Sequence, residues 1–134
     1  MARSQTWWSQ GVRNGNVANL LIDTDVFIDH LRGARRLTLA DNDVASYSVV
    51  TLCELFAGTR VDEGSVRTLL APFAALVVDQ ATAEHAGRVR RETATRLADA
   101  LIAATALEHG LTVMTRNVRD FALVPGLRLV QPGR

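Results

Sequence analysis

Residues 20–25 read Leu20-Leu21-Ile22-Asp23-Thr24-Asp25, a short apolar run followed by two acids. Consecutive apolar residues with no polar residue between them are typical of a strand buried on both faces of a parallel sheet. A helical pattern follows from Asp25 to about Leu31, and Gly33 closes it. We therefore expect a strand and a helix here, with Asp23 at the point where the strand ends.

The same order of strand and helix recurs along the chain. Residues 44–50 are rich in β-branched side chains, and a helical pattern begins at Thr51 and ends at Gly58. We expect further strands over residues 76–78, which Asp79 follows, and over 111–114, with an edge strand over 127–130. Helices are expected over residues 61–71, 80–96 and 98–109. Strands that alternate with helices predict an α/β domain with a largely parallel sheet.

Length and composition favour one domain. The chain has 134 residues, 48% of them hydrophobic, which suits a single compact core. Residues 1–18 are polar and without periodicity, so we interpret them as a flexible N-terminal extension to a domain of residues 19–134. No stretch approaches the roughly 20 apolar residues of a membrane span. Because Cys53 is the only cysteine, we expect no intramolecular disulfide and a reducing cytoplasm.

Charge and residue usage exclude several chemistries. The formal net charge is +1, so any nucleic-acid contact must depend on a local basic patch. All 15 basic residues counted as Lys+Arg are arginines. The absence of lysine excludes a P-loop, a Schiff base and the phosphate-binding lysine of aspartate-nucleophile phosphatases.

Four acids are the candidate catalytic residues: Asp23, Glu54, Asp99 and Asp120. Ligands of open parallel sheets bind beyond the carboxyl ends of the strands, where Asp23 and, after the loop 115–120, Asp120 are expected. Asp99 lies near the start of an apolar helix, on the helix face that is expected to be buried. A buried carboxylate needs a cation or strong hydrogen-bond donors.

Each acid also has a structural alternative. Glu54 lies three residues after Thr51, the spacing of a capping box that would only bond the start of a helix. Asp99 could be a helix N-cap, and Asp120 a turn residue beside Arg119. Asp25 could support the site or act as a helix N-terminal charge.

Acids that converge on one edge of a sheet predict a divalent metal. Mg²⁺ prefers oxygen ligands and usually takes one or two carboxylates directly. Such an ion neutralises a phosphodiester and activates water for attack. The three histidines are not paired in a way that indicates zinc.

The motifs together resemble the PIN-domain ribonucleases, and within them the VapC toxins of toxin–antitoxin pairs. The resemblance covers about residues 20–132, and each motif is weak alone but the ordered set is fairly specific. The matching stretches are Leu21-Ile22-Asp23-Thr24-Asp25-Val26-Phe27-Ile28, Ser48-Val49-Val50-Thr51-Leu52-Cys53-Glu54-Leu55 with Gly58, Ala98-Asp99-Ala100-Leu101-Ile102-Ala103-Ala104, and Thr115-Arg116-Asn117-Val118-Arg119-Asp120-Phe121.

The resemblance implies a three-layer α/β/α PIN-like fold and a metal site of Asp23, Glu54, Asp99 and Asp120, supported by Thr115 and Asn117. It also implies cleavage of single-stranded RNA with Mg²⁺, for which Mn²⁺ can substitute, a homodimer and inhibition by a VapB-type antitoxin.

Two features depart from the family pattern. Asp25 stands where similar proteins often have Ser or Asn, which could add a metal ligand. The segment 90–98 is short and lacks a Gly/Pro-containing turn before Asp99. Local arginines could contact the RNA backbone, or they could simply form a solvated helix face. The candidates are Arg88, Arg90, Arg91, Arg96 and Arg116.

Two other functions remain open from the residues. Asp23-x-Asp25 also resembles the nucleophile motif of phosphatases that form a phospho-enzyme, although the lysine is missing. A binding module without catalysis is the second alternative, in which the acids are caps and the chain sequesters a protein partner.

Overall fold

A computed structural model describes residues 18–133. The predicted extension over residues 1–18 lies outside that range, apart from Ala18, which is buried. In chain order the elements are β1 Asn19–Ile22, α1 Thr24–Leu31, β2 Val44–Ser48, α2 Val49–Phe56, α3 Glu63–Leu70, β3 Ala74–Leu76, α4 Gln80–Glu92, α5 Leu97–His109, β4 Thr112–Met114, α6 Val118–Phe121 and β5 Leu129–Val130.

The five strands form one parallel sheet in the order β3-β2-β1-β4-β5. Leu20 of β1 pairs with Ala45 of β2 on one side and with Thr112 of β4 on the other. The chain builds outward from β1 to β2 and β3, and then returns to place β4 and β5 on the opposite side. The carboxyl ends of β1 and β4 therefore flank the position where the strand order reverses, which is where open α/β sheets bind ligands.

Helices cover both faces of the sheet, so the predicted α/β/α architecture is confirmed. Leu21 points into the core beneath α4 and α5, which includes Ile102 and Val113. Leu20 and Ile22 point to the other face, where they join the core with Phe27 of α1. Leu20, Leu21 and Ile22 are fully buried, as expected for a strand at the centre of a parallel sheet, and Asn19 at the start of β1 is exposed.

The third strand differs from its prediction. β3 covers Ala74–Leu76 rather than residues 76–78, and it is a half-exposed edge strand rather than a buried one. Asp79 is consequently not an acid at a strand end. It is the N-cap of α4, where its carboxylate accepts the Thr82 amide hydrogen at 2.9 Å. A short apolar run does not reveal whether a strand has a neighbour on both sides.

The helix predicted over residues 80–96 is shorter in the structure, where α4 stops at Glu92. A turn built from two threonines connects it to α5. The Thr93 hydroxyl donates to the Val89 carbonyl at 2.7 Å and lies 2.6 Å from the Thr95 hydroxyl, and the Thr95 amide donates back to Thr93 Oγ1 at 3.2 Å. Hydroxyl groups thus close the short connection that has no Gly or Pro.

No helix in residues 18–133 is long and apolar enough to cross a membrane.

Candidate active site

Asp23 is fixed at the junction of β1, α1 and β4. Asp23 is 4% exposed, and each of its carboxylate oxygens accepts one hydrogen bond. The Thr24 amide donates to Oδ1 at 2.8 Å, which makes Asp23 the N-cap of α1, and the Thr115 hydroxyl donates to Oδ2 at 2.8 Å. The Asp23 amide in turn donates to the Met114 carbonyl at 2.9 Å. The carboxylate therefore has a defined position at the carboxyl end of the sheet.

The surroundings of Asp23 disfavour its charged form. Burial, and next the negative charge of Asp25, raise the pKa of Asp23 to about 7, although the bonds from Thr115 and Thr24 act in the opposite direction. The charge of Asp99 raises this pKa further. Within residues 18–133, no arginine or histidine forms an ion pair with Asp23. The pocket thus holds like charges without a protein cation on this carboxylate.

Asp99 is the second acid with a raised pKa. Burial raises it, the charge of Arg96 lowers it, and the charges of Asp120, Glu54 and Asp25 raise it. Asp23, Glu54 and Asp120 are therefore each within electrostatic reach of Asp99. The alternative of Asp99 as an N-cap is wrong, since α5 begins at Leu97 after Arg96 and Asp99 lies within its first turn. Ile102, Ala103 and Ala106, which follow Asp99 at the positions three, four and seven residues further along α5, are fully buried.

Glu54 is held by a hydroxyl from another helix. The Thr24 hydroxyl donates to Glu54 Oε1 at 2.6 Å and lies 2.9 Å from the Thr51 hydroxyl. The capping-box interpretation is wrong, because α2 begins at Val49 and its N-cap is Ser48, whose Oγ accepts from the Val50 amide. Sequence reasoning missed the roles of Thr24 and Thr51. The sequence indicated these roles only through position, since Thr24 follows Asp23 and Thr51 lies one helical turn before Glu54.

Asp120 lies on the short helix α6 rather than in an irregular loop. It is exposed, and its link to the other acids is the effect of its charge on Asp99. The loop before it is ordered by Thr115, which accepts the Asn117 amide hydrogen at 2.9 Å while donating to Asp23. Asn117 therefore supports this loop through its backbone.

Arg116 binds two acids of α1, Asp25 and Asp29. Sequence reasoning missed the role of Asp29. Its Nε is 3.0 Å from Asp29 Oδ2 and 3.8 Å from Asp25 Oδ2. The Arg116 amide also donates to Asp25 Oδ1 at 3.4 Å. Burial raises the pKa of Asp25, and the amide and guanidinium of Arg116 oppose that rise. Asp29 could have been suspected, because it lies four residues after Asp25 on the same helix face.

The other candidate arginines occupy a different position. Arg88, Arg90 and Arg91 are exposed on α4. Arg90 Nε donates to the Thr95 carbonyl at 3.4 Å, and Arg91 lies 3.7 Å from Glu92. Of the five arginines proposed for RNA, Arg96 and Arg116 are the ones that interact with site acids. Roles in RNA binding remain predictions.

The donor set suits a hard cation that keeps part of its own hydration. In the described range, no three His, Cys, Asp or Glu side chains are arranged as a group that could enclose a metal ion. The site therefore differs from a closed structural zinc centre. The Asp23 carboxylate, which is buried, lies near other acids and is bonded only by neutral donors, suits Mg²⁺, which takes one or two protein oxygens and retains water.

Comparison with known proteins agrees with these features. Residues 20–127 match the model of the PIN domain family. Ribonuclease VapC19 of Mycobacterium tuberculosis is 36% identical over 123 residues, covering 81% of this chain and 96% of the relative. Ribonuclease VapC10 of the same organism is 39% identical over 120 residues, covering 81% and 90%. A toxin–antitoxin complex from Klebsiella pneumoniae has a chain with a TM-score of 0.69 and 31% identity, covering 86% of this chain and 98% of that one.

Proposed function

This chain belongs to the PIN-domain family and, within it, to the VapC ribonucleases, and we propose that it is a metal-dependent endoribonuclease that acts as the toxin of a toxin–antitoxin pair. It hydrolyses phosphodiester bonds of RNA in the cytoplasm with Mg²⁺, for which Mn²⁺ substitutes. The relatives are named ribonucleases, which supports the reaction class. The metal and the residue roles are argued from the site.

The observation that carries the proposal is the state of Asp23. This carboxylate is buried, its pKa is raised to about 7 by burial and by neighbouring acids, and among the described residues it has no ion-pair partner. Perturbed carboxylates of this kind concentrate at functional sites. A divalent cation would relieve the repulsion and keep Asp23 ionised at neutral pH.

Asp23 and Asp99 would hold the metal, with Glu54 and Asp120 as the remaining carboxylates of the site. A bound Mg²⁺ would neutralise charge on the phosphodiester and lower the pKa of a water molecule. Thr115 orients Asp23 through its hydroxyl, and Thr24 orients Glu54 in the same way. The threonines therefore preorganise two acids from different helices and strands.

A VapB-type antitoxin is the proposed inhibitor, and the toxin is proposed to form a homodimer. The chain from the Klebsiella pneumoniae toxin–antitoxin complex, at 31% identity over nearly its whole length, supports a partner of this kind. RNA is the proposed substrate, and its backbone would contact arginines near the acids, of which Arg96 is a candidate because its charge acts on Asp99.

Cleavage of RNA by the isolated protein tests the proposal. Partner-free protein is incubated with single-stranded RNA and Mg²⁺ or Mn²⁺, beside Asp23→Asn, Asp99→Asn and Asp79→Asn. Asp79 is the control, because it is also an N-cap acid but belongs to α4, and Asn caps a helix nearly as well. We expect cleavage by the wild type and by Asp79→Asn, and its loss in both site variants. Equal cleavage by all four proteins, or cleavage that persists in EDTA, would refute the proposal.

A further inference from the structure

Arg116 connects the loop after β4 to one face of α1. Its Nε lies 3.0 Å from Asp29 Oδ2 and 3.8 Å from Asp25 Oδ2, and its amide donates to Asp25 Oδ1. The side chains of Asp25 and Asp29 are 11% and 13% exposed. Opposite charges in such partly desolvated surroundings interact more strongly than at an open surface. One guanidinium therefore binds two acids that are separated by one helical turn.

Asp23 is bound in a different way. Both of its oxygens accept from neutral donors, the Thr24 amide and the Thr115 hydroxyl, each at 2.8 Å. A carboxylate oxygen has two lone pairs, so each Asp23 oxygen can accept a further partner. Asp25 differs in having a charged neighbour: its Oδ1 accepts from the Arg116 amide at 3.4 Å. Its Oδ2 accepts from the Thr115 hydroxyl at 3.5 Å and lies 3.8 Å from the Arg116 guanidinium. A cation bound to Asp25 would lie beside the positive charge of Arg116, whereas Asp23 has no ion-pair partner among residues 18–133.

We infer that Arg116 is a positioning residue that keeps Asp25 out of the metal-ligand set, by holding Asp25 and Asp29 as paired anions beside Asp23. The inference rests on the proposed function, since it concerns ligand choice at the same metal site. It assigns Asp25, which stands two residues from Asp23 and shares its pocket, to an ion pair. It also assigns Arg116 to the protein's own acids rather than to RNA.

Mn²⁺ binding to the full chain without RNA tests this inference by titration calorimetry. The variants are Asp23→Asn, Asp25→Asn, Asp29→Asn, Arg116→Gln and Arg116→Lys, together with the double variant Arg116→Gln/Asp25→Asn. Asp29→Asn is the matched control for Asp25→Asn, because both remove one negative charge from the same arginine. Arg116→Lys keeps the positive charge. Thermal unfolding of each variant establishes that it is folded.

The expected results follow from the ion pairs. Asp23→Asn weakens Mn²⁺ binding by at least about tenfold, whereas Asp25→Asn and Asp29→Asn weaken it by a similar, smaller factor of about two to three. Arg116→Gln tightens binding, because it removes a positive charge and releases Asp25, and adding Asp25→Asn reverses that gain. Arg116→Lys binds Mn²⁺ nearly as the wild type does.

Two results would overturn the inference. One is a loss in Asp25→Asn as large as in Asp23→Asn while Asp29→Asn is unaffected, which would make Asp25 a ligand. The other is unchanged or weaker binding in Arg116→Gln. Should Arg116→Gln be unfolded, the comparison of Asp25→Asn with Asp29→Asn decides alone. If the wild type binds Mn²⁺ and cleaves RNA, either result leaves the proposed function intact; if no protein binds Mn²⁺, both fail.

Discussion

The Thr115 hydroxyl donates a hydrogen bond to Asp23 Oδ2 at 2.8 Å across 92 positions of sequence. This bond joins the ends of β1 and β4, the two strands that flank the reversal of strand order. The same Thr115 oxygen accepts the Asn117 amide hydrogen, so the loop that leads to Asp120 is ordered by the same side chain.

Replacing Thr115 by Val is expected to raise the pKa of Asp23 above its already elevated value, because the lost bond favours the ionised form. Metal must then compete with a more tightly held proton, so the pH profile of RNA cleavage shifts to higher pH. The variant is also expected to lose about 1–3 kcal/mol of stability. Thr115→Ser, which keeps the hydroxyl, is the control. An unshifted profile in Thr115→Val would contradict the role of this bond.

Replacing Thr24 by Val is expected to lower kcat for RNA cleavage with little change in KM. The Thr24 hydroxyl orients Glu54 at 2.6 Å, and nothing in this role requires contact with the RNA. The change also leaves the buried Thr51 hydroxyl without this partner. Thr24→Ser should restore the rate. Steady-state kinetics of the three proteins measure this, and an equal loss in Thr24→Ser would indicate a packing defect instead.

Metal-free stability should depend on pH through Asp23. Its pKa rises from 3.8 to about 7 on folding, so between these values the folded chain keeps a proton that the unfolded chain has released. Stability therefore falls as pH rises through this window, by at most about 1.4 kcal/mol per pH unit for one group. Asp23→Asn does not titrate, so in EDTA it should become the more stable protein as pH approaches 7 and above.

Asp79→Asn is the control of opposite sign for this measurement. Its bonds to Thr82 lower the pKa of Asp79 in the folded state, so its charge contributes stability at neutral pH that is lost as pH falls. Thermal unfolding from pH 4 to 8 follows both variants. A large loss of stability in Asp23→Asn at pH 7 would contradict this account, since Asn also caps a helix and the loss would show that the fold depends on the charge of Asp23.

Replacing Thr93 by Ala is expected to lower stability by about 1–2 kcal/mol, since its hydroxyl bonds both ends of the turn before α5. Because this turn leads directly to the first turn of α5, which carries Asp99, RNA cleavage should fall as well. Thr93→Ser should retain stability and cleavage. Chemical denaturation measures the first effect, and unchanged stability in Thr93→Ala would show that the turn does not depend on its hydroxyl.

The central strands and the position of Asp23 could be predicted from sequence because they depend on a local pattern. The run of three apolar residues before Asp23 correctly predicted β1 and its end. The edge strand β3 was misplaced, because the same apolar pattern arises with one neighbour or two. The start of α2 was misplaced by two residues and that of α5 by one residue, because helix caps depend on backbone geometry.

The supporting contacts of the site could not be predicted in the same way. Thr115 and Asp23, or Thr24 and Glu54, are joined by side-chain bonds between elements far apart in sequence, and no periodicity encodes them. The partner of Arg116 was equally hidden, since an arginine near a nucleic-acid site is compatible with a phosphate or with the protein's own acids.

A crystal structure of the protein with Mn²⁺, using anomalous scattering at the manganese edge, would locate the metal. We expect a peak at the carboxyl ends of β1 and β4, with an oxygen of Asp23 among its ligands and Asp99 beside it. A peak elsewhere, or none at Mn²⁺ concentrations that support RNA cleavage, would contradict this expectation.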